Sequence, residues 1–244
     1  MKKSISRNSA VLALIIIIFF ILFALFFIHP AEQLYFDENI YQGIAINILT
    51  HGNAEWCQYG TGYLKTCFNS QVYHDPVEAS FFLAIAFGLF GIGFGTAFAM
   101  QLFIGALSVI FFFLLASTLL QKKSVAVIST LAFATMPELF IWSRTQAIPD
   151  LYFMAFATLA MLFFTIFTRR QNLKTFLPFV FSSILAVYAR IEGMLLIGIF
   201  VLLYFLFSDV GVRKTILTRY KTLLKNLDRN TGLLLIALLA VLLI

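Results

Sequence analysis

Asp37-Glu38 opens a stretch in which Ile40, Tyr41, Ile44, Ala45, Ile48 and Leu49 recur at helical spacing. A carboxylate at such a position can act as a general base, taking a proton from an acceptor group. The same two residues also suit structural work, with Asp37 as an N-cap and Glu38 as a first-turn acid. Three further clusters carry chemistry: His74-Asp75-Pro76 with Glu78, the run from Arg144 to Asp150, and Arg190-Ile191-Glu192. An arginine can grip a phosphate through parallel hydrogen bonds, and a neighbouring carboxylate can move protons. An Arg190 ion pair with Glu192 or Asp150 could equally just satisfy a turn. The candidates are therefore Asp37 and Glu38 for catalysis, and His74, Asp75, Arg144, Asp150, Arg190 and Glu192 for substrate and phosphate. Cys57 and Cys67 share one polar loop. Outside the cell they would form a disulfide; the alternative is two free thiols. No ligand-like spacing joins His51 or His74 to the cysteines, so the sequence names no metal site.

The elements that must position these groups belong to a membrane protein. Of 244 residues, 61% are hydrophobic and only 11% charged, where a soluble domain would be about a quarter charged. The expected fold is all-α, a polytopic transmembrane helical bundle forming one domain over 1–244. The first apolar run, Ala10 to Ile28, is longer than the ~7–15 apolar residues of a cleaved signal peptide, and predicts a retained helix. Residues 30–77 then form the first outer loop. Its Asp37-Glu38 helix should lie flat on the membrane surface. The stretch from Ala79 to Leu120 breaks at Gly91-Ile92-Gly93-Phe94-Gly95, and its first part, about 20 Å as a helix, is too short to span. Further apolar segments cover 125–143, 151–168, 175–189, 193–207 and 233–244.

Basic residues set the orientation. If 79–120 crosses once, all of the 17 Lys and Arg residues fall inside except Lys65, Arg144 and Arg190. Two crossings would leave only Lys2, Lys3, Arg7, Arg144 and Arg190 inside. The single crossing places the N-terminus in the cytoplasm and every acid except Asp209 and Asp228 on the outer half. Segments 175–189 and 193–207 become a hairpin of helices about 22 Å long. Its tip, Arg190-Ile191-Glu192, then lies below the membrane surface, where charges need partners or a watered cavity. A net charge of +6 spread this way is no argument for nucleic acid.

With these features in order, the chain resembles the lipid-linked-sugar glycosyltransferases of the GT-C class, in particular the dolichyl-phosphate-mannose protein mannosyltransferases and aminoarabinose transferases. The resemblance rests on Asp37-Glu38 with Tyr41, the helix end His51-Gly52-Asn53, His74-Asp75-Pro76 followed by Leu89-Phe90-Gly91, Pro149-Asp150, and Arg190-Ile191-Glu192-Gly193. It covers residues 1 to about 207. His74 stands where relatives carry Lys or Arg. Relatives are commonly longer, which suggests an N-terminal portion or a short relative.

The resemblance implies sugar transfer from a polyprenyl-phosphate donor to a protein, lipid or glycan acceptor at the extracytoplasmic face of the plasma membrane. Asp37 would be the base, and Arg190, helped by His74 or Arg144, would hold the donor phosphate. The partners are the lipid-linked donor, membrane lipid and an acceptor the sequence does not identify. No cofactor is implied, and a divalent metal, although compatible with so many acids, is not indicated. The rival reading is a non-catalytic membrane protein of the same fold, or a transporter. Paired broken helices near the midplane would favour a transporter; here the acids gather in one outer loop and at outer helix ends.

Overall fold

The computed structural model describes residues 7–27, 36–59, 65–69, 78–120, 122–143, 145 and 147–207. It groups the chain into two compact units, 1–198 and 199–244. The described residues are almost entirely helical: α1 (Arg7–Phe27), α2 (Phe36–His51), α3 (Glu78–Phe90), α4 (Phe94–Leu119), α5 (Lys123–Ala134), α6 (Pro137–Trp142), α7 (Pro149–Arg170), α8 (Leu173–Ala189) and α9 (Gly193–Phe207). This is the expected all-α membrane fold. Among the described residues, α4 and α7 are long and apolar enough to cross a bilayer.

The glycine-rich break falls where the sequence placed it. Gly91 takes φ +89° and donates to Phe87 O at 2.9 Å, closing α3 before α4 begins. Gly52, at φ +68°, closes α2 in the same way. One predicted segment divides. Residues 125–143 form two helices, because Pro137 drives Met136 into extended backbone (ψ 133°) and restarts the chain as α6.

The apolar side of α2 is packed on protein. Tyr41 and Ala45 join Leu83, Ala84 and Phe87 of α3 in a buried cluster, and Leu49 near the end of α2 reaches Gly88 near the end of α3. The two helices therefore run in the same direction. Ile40 and Ile44 form a separate cluster with Ile48 and Ala54, and Leu49 stays exposed.

At the centre, α7 packs along α4 and α8. The α7–α8 pair is antiparallel, with Phe167 against Phe176 (5.2 Å) at one end and Asp150 against Arg190 at the other. The α4–α7 pair is parallel, since Gln101 in the second turn of α4 meets Ala147 and Ile148 just before α7. Parallel and antiparallel packing together sort charge by end. Lys122, Lys123, Arg169, Arg170 and Lys174 gather at one end of these helices, and Asp150, Arg190 and Glu192 at the other. Gly105 of α4 marks a close junction. A methyl group there would lie 2.5 Å from Ser143 Oγ and 3.2 Å from the Phe20 ring of α1.

Between α2 and α3 lies a feature not read from the sequence, a two-stranded antiparallel hairpin of β1 (Glu55–Tyr59) and β2 (Lys65–Asn69). Its register sets Cys57 directly opposite Cys67. Facing Cα atoms in an antiparallel ladder are roughly 4.5–5.5 Å apart, within the range a disulfide spans. We propose that the two cysteines are bonded. Non-reducing peptide mapping of protein from its native membrane should recover one peptide joining Cys57 to Cys67; two alkylatable thiols would defeat the assignment.

Candidate functional site

The charged cluster at the start of α7 is built from two short-range choices. Pro149 occupies the first position of α7 and Asp150 its first turn, where the helix dipole favours an acid. Arg190 ends α8 in extended backbone, and Gly193 N–H donates to Arg190 O at 2.9 Å, so 190–192 form a tight turn into α9. The turn can be this tight because residue 193 has no side chain; a methyl group would sit 2.6 Å from Ala186 O.

Arg190 Nη1 donates to Asp150 Oδ1 at 2.6 Å, and Arg190 Nε to Glu192 Oε2 at 3.3 Å. The first two side chains are 31% and 29% exposed, and Glu192 is 53% exposed. Both ion pairs weighed from the sequence are thus formed at once. Burial works against the guanidinium charge, but Asp150 and Glu192 outweigh it, so the pKa of Arg190 is raised. The Glu192 carboxyl is held below its ordinary range, first by its own backbone N–H and then by Arg190.

These three residues cap an open groove of about 430 Å³. Its wall is one side of α7: Asp150, Phe153, Met154, Ala157, Thr158 and Met161, with Trp142 of α6 beside them. From Asp150 to Met161 the wall runs about 16 Å along the helix axis. One end is charged and the remainder almost wholly apolar, since the Thr158 hydroxyl is turned to Met154 O (2.7 Å). An amphiphile, polar at one end and apolar along the rest, matches this gradient.

Of the residues singled out in the sequence, the structure brings Asp150, Arg190 and Glu192 together. Glu38 is fully buried in the first turn of α2 and does not line the groove. Asp37 belongs to the same first turn, but its side chain is outside the described residues, as are His74, Asp75 and Arg144. α3, on which α2 packs, meets α7 through Phe82, stacked on Tyr152 (5.9 Å) and Phe156 (5.8 Å). At 100° per residue, those two positions lie on the side of α7 turned away from the groove. Trp142 and the α7 stripe were not foreseen. The stripe has helical spacing, but α7 is apolar nearly all round, so nothing in the sequence set that side apart.

The acid side of the pH–stability profile should expose the Glu192 contact. Its carboxyl titrates lower in the folded chain than when unfolded, where Glu sits near ~4.3. The stabilisation is therefore complete above that value and is lost as pH falls through the lower folded value. Glu192→Gln should flatten the fall in melting temperature of detergent-solubilised protein below about pH 4. An unchanged profile would mean that the contact adds no stability.

A search of curated proteins and one of solved structures give no match. The family model for dolichyl-phosphate-mannose-protein mannosyltransferases matches residues 74–244, which include α3 to α9 and every wall of the groove. The chain therefore belongs to the dolichyl-phosphate-mannose-protein mannosyltransferase family, membrane glycosyltransferases of the GT-C type.

Proposed function

We propose that the protein transfers a sugar from a polyprenyl-phosphate-linked donor to a protein, lipid or glycan acceptor at the extracytoplasmic face. The observation that carries this reading is the graded groove, with Arg190 at its charged end and apolar α7 side chains beneath. In the reaction, the bond from the sugar to the donor phosphate breaks and a bond to the acceptor forms. Asp37, at the start of a helix that comes to α7 from the side away from the groove, would reach over the start of α7 to take the acceptor proton, and the polyprenyl phosphate leaves. Arg190 neutralises charge as it develops on that phosphate. Its two carboxylate partners divide the work: the 2.6 Å contact to Asp150 fixes the guanidinium, whereas the longer, exposed contact to Glu192 yields to the incoming phosphate.

The acid pair and the arginine belong to separate elements, so their roles are tested separately. Protein reconstituted with labelled polyprenyl-phosphate-mannose is assayed for transfer. Asp37→Asn keeps the helix start and removes the base, so kcat should fall ~10²–10⁴-fold with little change in folding. Arg190→Ala should act mainly on the donor, raising its KM by about tenfold or more, as expected for a lost charged hydrogen bond. Transfer unchanged in Asp37→Asn would return that residue to a helix-capping role.

The face of the membrane rests on the sorting of basic residues. Single cysteines introduced near Lys65 and Arg144, in a chain whose own cysteines are replaced, should react with an impermeant label from outside. Cysteines near Lys122 and Arg170 should react only after permeabilisation. Outside labelling at Lys122 would overturn the orientation.

A further inference from the structure

Gln101 is a polar residue in the second turn of a 26-residue apolar helix, and its side chain is fully buried. An amide in such a place costs stability unless its hydrogen bonds are made. Its partners lie in the connection between α6 and α7. With the amide turned so that its oxygen faces donors, an orientation assigned from the surrounding hydrogen bonds, that oxygen accepts from the backbone N–H groups of Ile148 and of Ala147 (3.3 Å). That connection is irregular backbone, yet Ser143, Thr145, Ala147 and Ile148 are all buried. Non-helical backbone at membrane depth persists only where protein satisfies its polar groups. The connection is also tied at its other end, where Thr145 Oγ1 donates to Trp142 O at 2.6 Å. Ile148, the N-cap of α7, makes no side-chain cap of its own, and Pro149 and Asp150 follow at once.

We propose that Gln101 is a positioning residue for the charged end of the groove. By holding Ala147 and Ile148, its amide fixes the azimuth at which α7 starts. That places the Asp150 carboxylate where Arg190 can reach it at 2.6 Å, and so orients the guanidinium. Gln101 acts through the backbone; it does not line the groove. The inference rests on the lipid-phosphate reading only for its effect on the donor. The placement of Asp150 and Arg190 is a property of the empty protein.

The test compares Gln101→Leu, which keeps the bulk and loses the acceptor, with Gln101→Glu, which keeps an acceptor oxygen, and with Asp150→Asn. Hydrogen exchange is followed in detergent on peptides covering 145–152 and 187–195. Gln101→Leu should speed exchange in the first peptide by about tenfold, the scale of one lost buried hydrogen bond. It should also reproduce in the second peptide the faster exchange caused by Asp150→Asn, and Gln101→Glu should restore protection in both. If Gln101→Leu loosens 145–152 but leaves 187–195 as in the parent, the residue is merely structural and the proposal falls; it falls also if neither peptide changes. Binding of polyprenyl phosphate is measured in parallel. Gln101→Leu should weaken it about tenfold in the parent chain and add nothing in Asp150→Asn. If the parent chain binds no polyprenyl phosphate, the donor reading fails, and the exchange data still decide the placement.

Discussion

A cation inside a largely apolar protein is tolerable only when its charge is answered, and the Arg190–Asp150 contact is how this chain answers it. The pair joins the end of α8 to the start of α7, so it fixes the antiparallel register of two helices that also interlock at their far end through Phe167, Phe176 and Phe179. Once that register is set, the remaining charges have little freedom. Arg169 and Arg170 close α7 where its dipole favours cations, Asp150 opens it where an acid is favoured, and the basic and acidic clusters separate along the bundle. The same contact leaves Arg190 with coordination to spare on its exposed side. An ion pair that stabilises the hairpin and a cation that can receive an anion are compatible roles for one residue.

Much of the fold was legible because apolar length and helix breakers are strong signals. Gly91, Gly52 and the Arg190-Ile191-Glu192 turn ended helices where their residue types require. The division at Met136–Pro137 rests on one proline inside a run of 19 apolar-rich residues, and apolar length alone does not show it. The hairpin at 55–69 was not legible. Its strands are five residues each and carry no clean alternation, and tertiary ties such as Asn47 Nδ2 to Glu55 O (2.5 Å) help to hold β1 to α2.

The site was legible in its charged part and not in its apolar part. Asp150, Arg190 and Glu192 are conspicuous in an apolar chain, and the sorting of basic residues together with segment lengths put them on one face. Phe153, Met154 and Met161 are invisible among 30 phenylalanines and 6 methionines, because in a helix buried or lipid-facing on every side composition does not mark a wall. Gln101 was not singled out: its partners are backbone amides 46 and 47 residues later, and no side-chain pattern announces a backbone donor. Glu38 shows the converse: it is fully buried, although its place in the first turn of a surface helix gives no local sign of it.

The groove runs down the flank of a helix long enough to cross a bilayer and is open along that flank. A ligand kept in the lipid by its tail would enter sideways, by diffusion in two dimensions, without passing through water. Occupancy would then follow the mole fraction of that ligand among the lipids of one leaflet, and would be indifferent to the volume of the surrounding medium. Diluting the membranes would leave such a site as full as before; diluting the ligand with other lipid would empty it.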